Sequence, residues 1–182
     1  MIFRETPLAG AFLVEIEPRA DERGFFARTF CREEFAAHGL EPAVVQCSVS
    51  FNQAAGTVRG MHYQAAQGGG RREAKLVRCT QGAIFDAIVD LRAGSPTYGW
   101  PFTIELTAEG HLALYVPPGF AHGFQTLADD TELYYQMSAS YAPEHARGFR
   151  HDDPQIGIAW PLPVAVISER DRGLPRFAER EG

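Results

Sequence analysis

Short apolar runs, each stopped by a glycine, a proline or a polar turn, recur along almost the whole chain, and this rhythm limits the fold most. Residues 12–16, 44–51, 57–63, 75–79 and 83–91 read as strands, separated by Gly56, the Gly68-Gly69-Gly70 loop and Gly82. Further strands are predicted over 100–106, 112–116, 123–127 and 132–138. In 12–16 the alternation puts Phe12, Val14 and Ile16 on one face. Helical signals are sparse: one or two turns over 32–38 with Gly39 as a left-handed cap, and another short helix over 172–180. Strand after strand at this spacing predicts an all-β fold, a sandwich or small antiparallel barrel, and not alternating βαβ units. No internal repeat or linker interrupts it, so residues 1–182 read as one domain.

Composition narrows the function classes. Apolar residues make up 45%, ordinary for a globular chain. No run approaches a membrane span, and residues 1–10 lack a signal-peptide pattern, so a soluble cytoplasmic protein is expected. Cys31, Cys47 and Cys79 form no CxxC pair, which argues against a disulfide framework or a structural zinc site. Buried free thiols are expected at Cys31 and Cys79. Acidic residues outnumber basic ones 23 to 17, which disfavours nucleic acid as a partner while leaving room for a local anion pocket.

Two polar clusters stand out. In 57–64, His62 and Gln64 share a strand face with Gly60, and in 117–124 a Pro-Pro-Gly turn delivers His122 to the start of a strand. Together they resemble the signature motifs of cupins, whose usual metal site takes HxH, a Glu and a distant His. Here Gln64 replaces the second His, and Lys75 stands where the ligand Glu belongs. A cation is no metal ligand, and two histidines leave a transition metal under-coordinated, so neither metal nor cofactor is expected. The remaining groups suit proton abstraction beside a carbonyl: a histidine base, with a lysine to stabilise the enolate oxygen. Inversion also needs an acid on the opposite face, and one of Tyr134 and Tyr135 must point inward.

In order along the chain, 21–26 (DERGFF), 59–64 (RGMHYQ), 75–79 (KLVRC), 118–124 (PGFAHGF), 132–135 (ELYY), 156–161 (IGIAWP) and 168–171 (SERD) resemble the dTDP-4-dehydrorhamnose 3,5-epimerases, the RmlC-type sugar epimerases. The resemblance runs from about Gly10 to Asp171 and implies a cupin-like antiparallel β-barrel, a jelly roll with a few short helices. It implies His62 as base, Asp171 as the carboxylate orienting it, Tyr135 as acid and Lys75 near the sugar C4 oxygen. Arg59 and His122 match pyrophosphate contacts. Arg23 matches an arginine reaching the neighbouring subunit's site, and Tyr141 matches an aromatic near the sugar ring. Phe26, Arg28, Gln46, Ser48, Arg147 and Arg170 fall on the remaining substrate-binding positions.

The match departs from the family at four places. Gln46-Cys47-Ser48 replaces Gln-Asp-Asn or Gln-Glu-Asn, Arg28 and Arg147 fall where glutamates are expected, and Arg170 replaces a lysine. These positions belong to the nucleotide end of the ligand, which predicts intact chemistry with an altered address. The leading expectation is a homodimeric 3,5-epimerase of a dTDP-4-keto-6-deoxyhexose. Its alternatives are a single-centre epimerase of another nucleotide sugar and a non-catalytic carbohydrate-binding cupin module, with a metal-dependent oxygenase disfavoured by Gln64 and Lys75.

Overall fold

The computed structural model describes residues 1–65 and 73–179; the predicted Gly68-Gly69-Gly70 loop and the end of the predicted 172–180 helix, Arg180, lie outside them. The first sheet orders β1 (Ile2–Glu5), β2 (Phe12–Glu15), β10 (Ala113–Val116), β7 (Lys75–Gln81), β12 (Thr131–Met137) and β5 (Gln46–Asn52). The second orders β13 (Ala146–Gly148), β6 (Thr57–Gln64), β11 (Phe120–Thr126), β8 (Ala83–Asp90) and β9 (Pro101–Thr107). Pairing within each ladder is antiparallel except for β14 (Val166–Ile167), which lies parallel on β6. A small hairpin, β3 (Arg19–Asp21) with β4 (Gly24–Phe26), stands apart. The expected all-β jelly roll is therefore realised as two facing sheets, without a continuous hydrogen-bonded ring among the described residues.

The sheets face each other across one core. Val77, Leu114 and Leu133 from the first pack on Ile84, Ile88, Leu106 and Phe124 from the second. Each such side chain, fully buried, contributes about 1.5–3 kcal/mol. Gly82 alone joins β7 to β8 and so carries the chain from one sheet to the other. Its φ is +77°, and a Cβ there would stand 2.4 Å from Thr131 Oγ1, so only glycine fits this corner.

The outer face of the first sheet is covered as well. Helix α1 (Arg32–Ala37) begins with Glu33 and Glu34, favourably placed at the positive end of its dipole, and is followed by Gly39 at φ +71°. Six residues are too few to be stable by propensity. Phe35 holds the helix down, packing against Phe3, Phe30 and Tyr115 at 4.8–5.9 Å between ring centroids. Phe12 and Val14 face this outer cluster while Leu13 enters the core between the sheets, so β2 is packed on both faces.

The predicted 172–180 helix is replaced by α2 (Glu169–Arg172) and a separate 3-10 turn at Phe177–Glu179. Gly173 ends α2, and Pro175 follows. Cys79 is buried as expected, but Cys31 only partly, because it precedes α1 at the surface. No described helix is long and apolar enough to cross a membrane.

Candidate active site

A cavity of about 650 Å³ opens between the two sheets. Strand β6 supplies Arg59, His62 and Gln64, and β11 supplies His122 and Phe124. From the first sheet come Gln46 and Ser48 on β5, Lys75 on β7 and Tyr135 on β12. Tyr141, Arg147, Arg170 and Asp171 complete the wall.

The position of His62 is set by a local irregularity. Gly60 has φ +127°, and a Cβ on it would stand 2.6 Å from Gly123 Cα, so β6 and β11 approach here as no other residue pair allows. The ladder between them shifts register between His122 and Phe124, and His62 pairs with His122. The irregular strand leaves the Gly60 N–H free to donate to Asp171 Oδ2 at 3.2 Å.

Asp171 arrives from the far end of the chain. β14 pairs Val166 with Thr57 and Ile167 with Val58, and then Ser168 caps α2, its Oγ accepting the Asp171 N–H at 3.1 Å. This puts Asp171 Oδ1 2.7 Å from His62 Nε2. Burial pushes the Asp171 carboxyl up, but the hydrogen bond from His62, the Gly60 N–H and Arg170 outweigh it, and the group lies below its ordinary value. An ionised carboxylate only accepts, so His62 Nε2 carries the hydrogen and Nδ1 keeps its lone pair for the cavity.

Tyr135 faces His62 from the other sheet. It packs against the core and meets the His122 ring edge-on at 5.9 Å, whereas Tyr134 points outward to Cys47 and Arg78. Burial, and then the negative charge of Asp86, lift the Tyr135 hydroxyl well above its ordinary value against an opposing pull from Arg59.

Other cavity side chains are fixed by their neighbours. Arg59 Nε donates to Asn52 Oδ1 at 2.7 Å, and Asn52 is itself anchored to Thr131 O. Gln64 Oε1 accepts the Ala142 N–H at 2.7 Å and its Nε2 donates to Ser140 O, so the residue that replaces a metal ligand secures the Tyr141 loop. Gln46 Oε1 accepts the Tyr141 N–H at 2.7 Å. Arg147 Nη1 donates to Glu144 O and Ala146 O. Four cationic side chains, Arg59, Lys75, Arg147 and Arg170, line the cavity against Glu73 and Asp171, an anion-attracting balance in a chain of net charge −6.

Three predicted residues lie elsewhere. Arg23 pairs with Asp21 on the β3–β4 hairpin, Phe26 is 78% exposed, and Arg28 Nη1 lies 3.3 Å from Glu34 Oε1 in a separate surface pocket. Nor do the departures from the family pattern converge within one chain. Ser48, Arg147 and Arg170 line the cavity, but Cys47 lies on the opposite face of β5 from Ser48, because adjacent strand residues point oppositely.

Sequence reasoning missed Asn52, Glu73 and Asp86. Asp86 is fully buried, and its Oδ1 lies 2.6 Å from His122 Nε2. The signal available was an aspartate at an inward position of an apolar strand, 83–90.

Comparison with known proteins places this geometry. The family described as dTDP-4-dehydrorhamnose 3,5-epimerase matches residues 5–179. A Sinorhizobium fredii protein of that name is 43% identical, over 98% of this chain and 91% of its own. The Bacillus anthracis dTDP-4-dehydrorhamnose 3,5-epimerase structure with TDP and PPi bound has a TM-score of 0.90 and 37% identity, covering 96% of this chain and 98% of that one. The Legionella pneumophila 3,5-epimerase structure in complex with dTDP-4-keto-L-rhamnose has a TM-score of 0.86 and 33% identity, covering 97% and 98%.

Proposed function

The chain belongs to the dTDP-4-dehydrorhamnose 3,5-epimerase family, and from that membership we infer that it is an isomerase inverting the two carbons beside the C4 ketone of a dTDP-4-keto-6-deoxyhexose. The observation that carries this reading is the disposition of two groups. His62, backed by Asp171, stands on one sheet, and Tyr135 stands on the other, across a single cavity.

In this reading His62 Nδ1 removes the proton beside the ketone, and the C–H electron pair moves to the ketone oxygen as an enolate. Asp171 stabilises the imidazolium so formed, and Lys75 stabilises the enolate oxygen. As the enolate collapses, the Tyr135 hydroxyl gives its proton to the carbon from the opposite side. Exchange with solvent then returns a proton to Tyr135 and takes one from His62. Arg59 and His122 are suited to the pyrophosphate, Arg59 by the bidentate geometry of a guanidinium.

The chemistry needs no metal in this proposal, since Lys75 supplies the positive charge at a cupin ligand position. Arg23 and Phe26, exposed on a hairpin outside their own cavity, suit a homodimer in which each copy completes the other's site. Val49 and Phe51, exposed on the edge strand β5, offer a surface for pairing. A cytoplasmic location fits a nucleotide-sugar substrate.

Turnover in deuterated solvent tests the reading. Deuterium is expected in the sugar at C3 and C5, and His62→Asn should lower exchange by about 10²–10⁴-fold. Tyr135→Phe should retain exchange while losing inversion. Equal exchange in wild type and His62→Asn would remove His62 from its role. A fully active monomer in sedimentation would remove the dimer.

A further inference from the structure

Lys75 is the only lysine in the sequence; every other long cationic side chain is an arginine. It lies in the cavity, and it is not alone there. Glu73, two residues earlier, also lines the cavity, and its Oε2 lies 3.3 Å from Lys75 Nζ. The side chains are 8% and 17% exposed, so this is a desolvated pair. We propose that Glu73 is a positioning residue that holds the Lys75 ammonium at the point where the substrate's ketone oxygen becomes an enolate.

The proposal rests on the epimerase reading of the cavity. A lysine ammonium is a compact charge on a flexible stem, with three donors that rotate freely. Without an acceptor, Nζ would sample many rotamers, and that freedom would be lost on meeting the substrate. Glu73 takes one donor and leaves two for a ligand oxygen. A buried carboxylate needs a cation or donors of its own, so each group of the pair satisfies the other. The carboxylate's charge opposes the enolate, but in this arrangement the ammonium is the group that meets the oxygen, and the attraction of the nearer group is stronger. An arginine in place of Lys75 would present a wide planar fork where a single small donor is required.

Because Lys75 is unique, lysine-selective ¹⁵N labelling reports on it alone. The full-length protein labelled in this way is compared with Glu73→Ala and Glu73→Gln. The wild type should give one ammonium ¹H–¹⁵N signal protected from solvent exchange. Glu73→Gln, which keeps an acceptor, should retain it, and Glu73→Ala should lose it. With the dTDP-4-keto sugar as substrate, kcat should fall about 10- to 100-fold in Glu73→Ala with KM within about twofold, and Glu73→Gln should recover most of the loss. If Glu73→Ala does not fold, Glu73→Ser replaces it. A protected signal in the alanine variant, or a kcat within about threefold of wild type, overturns the proposal. A wild type without turnover would instead sink the epimerase reading, while the NMR comparison would still decide the role of Glu73.

Discussion

His122 Nε2 lies 2.6 Å from Asp86 Oδ1, in a pair only 5% and 0% exposed, placed among Ile84, Ile88 and Phe124 where the two sheets meet. Asp86 Oδ2 has no hydrogen-bond partner among the described residues. A carboxylate so placed costs stability, and it holds the His122 ring in one orientation beside the cavity. Asp86→Asn is expected to leave the melting temperature unchanged or raised. It should weaken dTDP binding by about tenfold, the ~1.5 kcal/mol of one hydrogen bond lost when the His122 ring is less firmly held. Calorimetric titration decides this: unchanged affinity would reduce the pair to packing.

Asp86 acts on Tyr135 as well. Burial first, and then the Asp86 charge, hold that hydroxyl well above its ordinary value, so Tyr135 stays a phenol when exposed tyrosines have ionised. In an ultraviolet titration, Tyr135→Phe should remove amplitude only from the most alkaline part of the curve, well above the ordinary tyrosine value of about 10. Amplitude lost near the ordinary tyrosine value would contradict the electrostatics described for the site.

The long strands were legible because each has a glycine or polar turn on both sides. Thus 57–63 and 83–91 became β6 (Thr57–Gln64) and β8 (Ala83–Asp90) within a residue. The brief strands were not. β3, β13 and β14 are two or three residues long, too short for alternation to register, and β13 and β14 are held by β6, distant in sequence. His62 and Lys75 could be read from cupin spacing, but Asp171 could not, since only the parallel pairing of β14 on β6 brings it 109 positions back to His62. Asp86 and Asn52 went unread because each acts through another side chain, His122 or Arg59, and leaves no motif of its own.

A separate carboxylate predicts how the fold responds to acid. Asp90 is fully buried and accepts from Arg92 Nη2 at 2.7 Å, Ser95 Oγ at 2.6 Å and Thr97 Oγ1 at 2.8 Å. Burial raises this carboxyl, but these donors outweigh it and hold the group far below the ordinary carboxylate range. With the folded value depressed, the stabilisation is present at neutral pH and is lost as pH falls below about 4 toward the folded value. Asp90→Asn should cost about 3 kcal/mol at pH 7 and flatten the acid side of the stability curve. Identical acid curves for the two proteins would rule this out.

Gln64 and Lys75 predict tolerance of chelators. The Gln64 carbonyl oxygen is already committed to Ala142, and Lys75 is paired with Glu73. Turnover should therefore survive exhaustive dialysis against a strong chelator. Loss of turnover that one added metal restores would return the cavity to ordinary cupin chemistry.

The nucleotide base is the last question the cavity raises. Read from sequence, Arg28, Cys47, Ser48 and Arg147 together suggested an altered preference. The fold separates them: Cys47 turns away from the cavity, and Arg28 pairs with Glu34 in another pocket. Arg147 is tied back to the carbonyls of Glu144 and Ala146, which limits its reach toward a base. Ser48 alone exchanges a long amide for a short hydroxyl on the wall, a change worth about 1 kcal/mol if one hydrogen bond is lost. Tyr141, 56% exposed on the cavity wall with its backbone N–H held by Gln46, presents an aromatic face that does not discriminate between nucleotides. One lost hydrogen bond lowers affinity by less than about tenfold and does not redirect specificity. Among dTDP, UDP, CDP and GDP, calorimetry should therefore show dTDP bound most tightly, and Ser48→Asn should tighten it by several-fold. A clear preference for another nucleotide would revive the altered address and point to Ser48 and Arg147 as its cause.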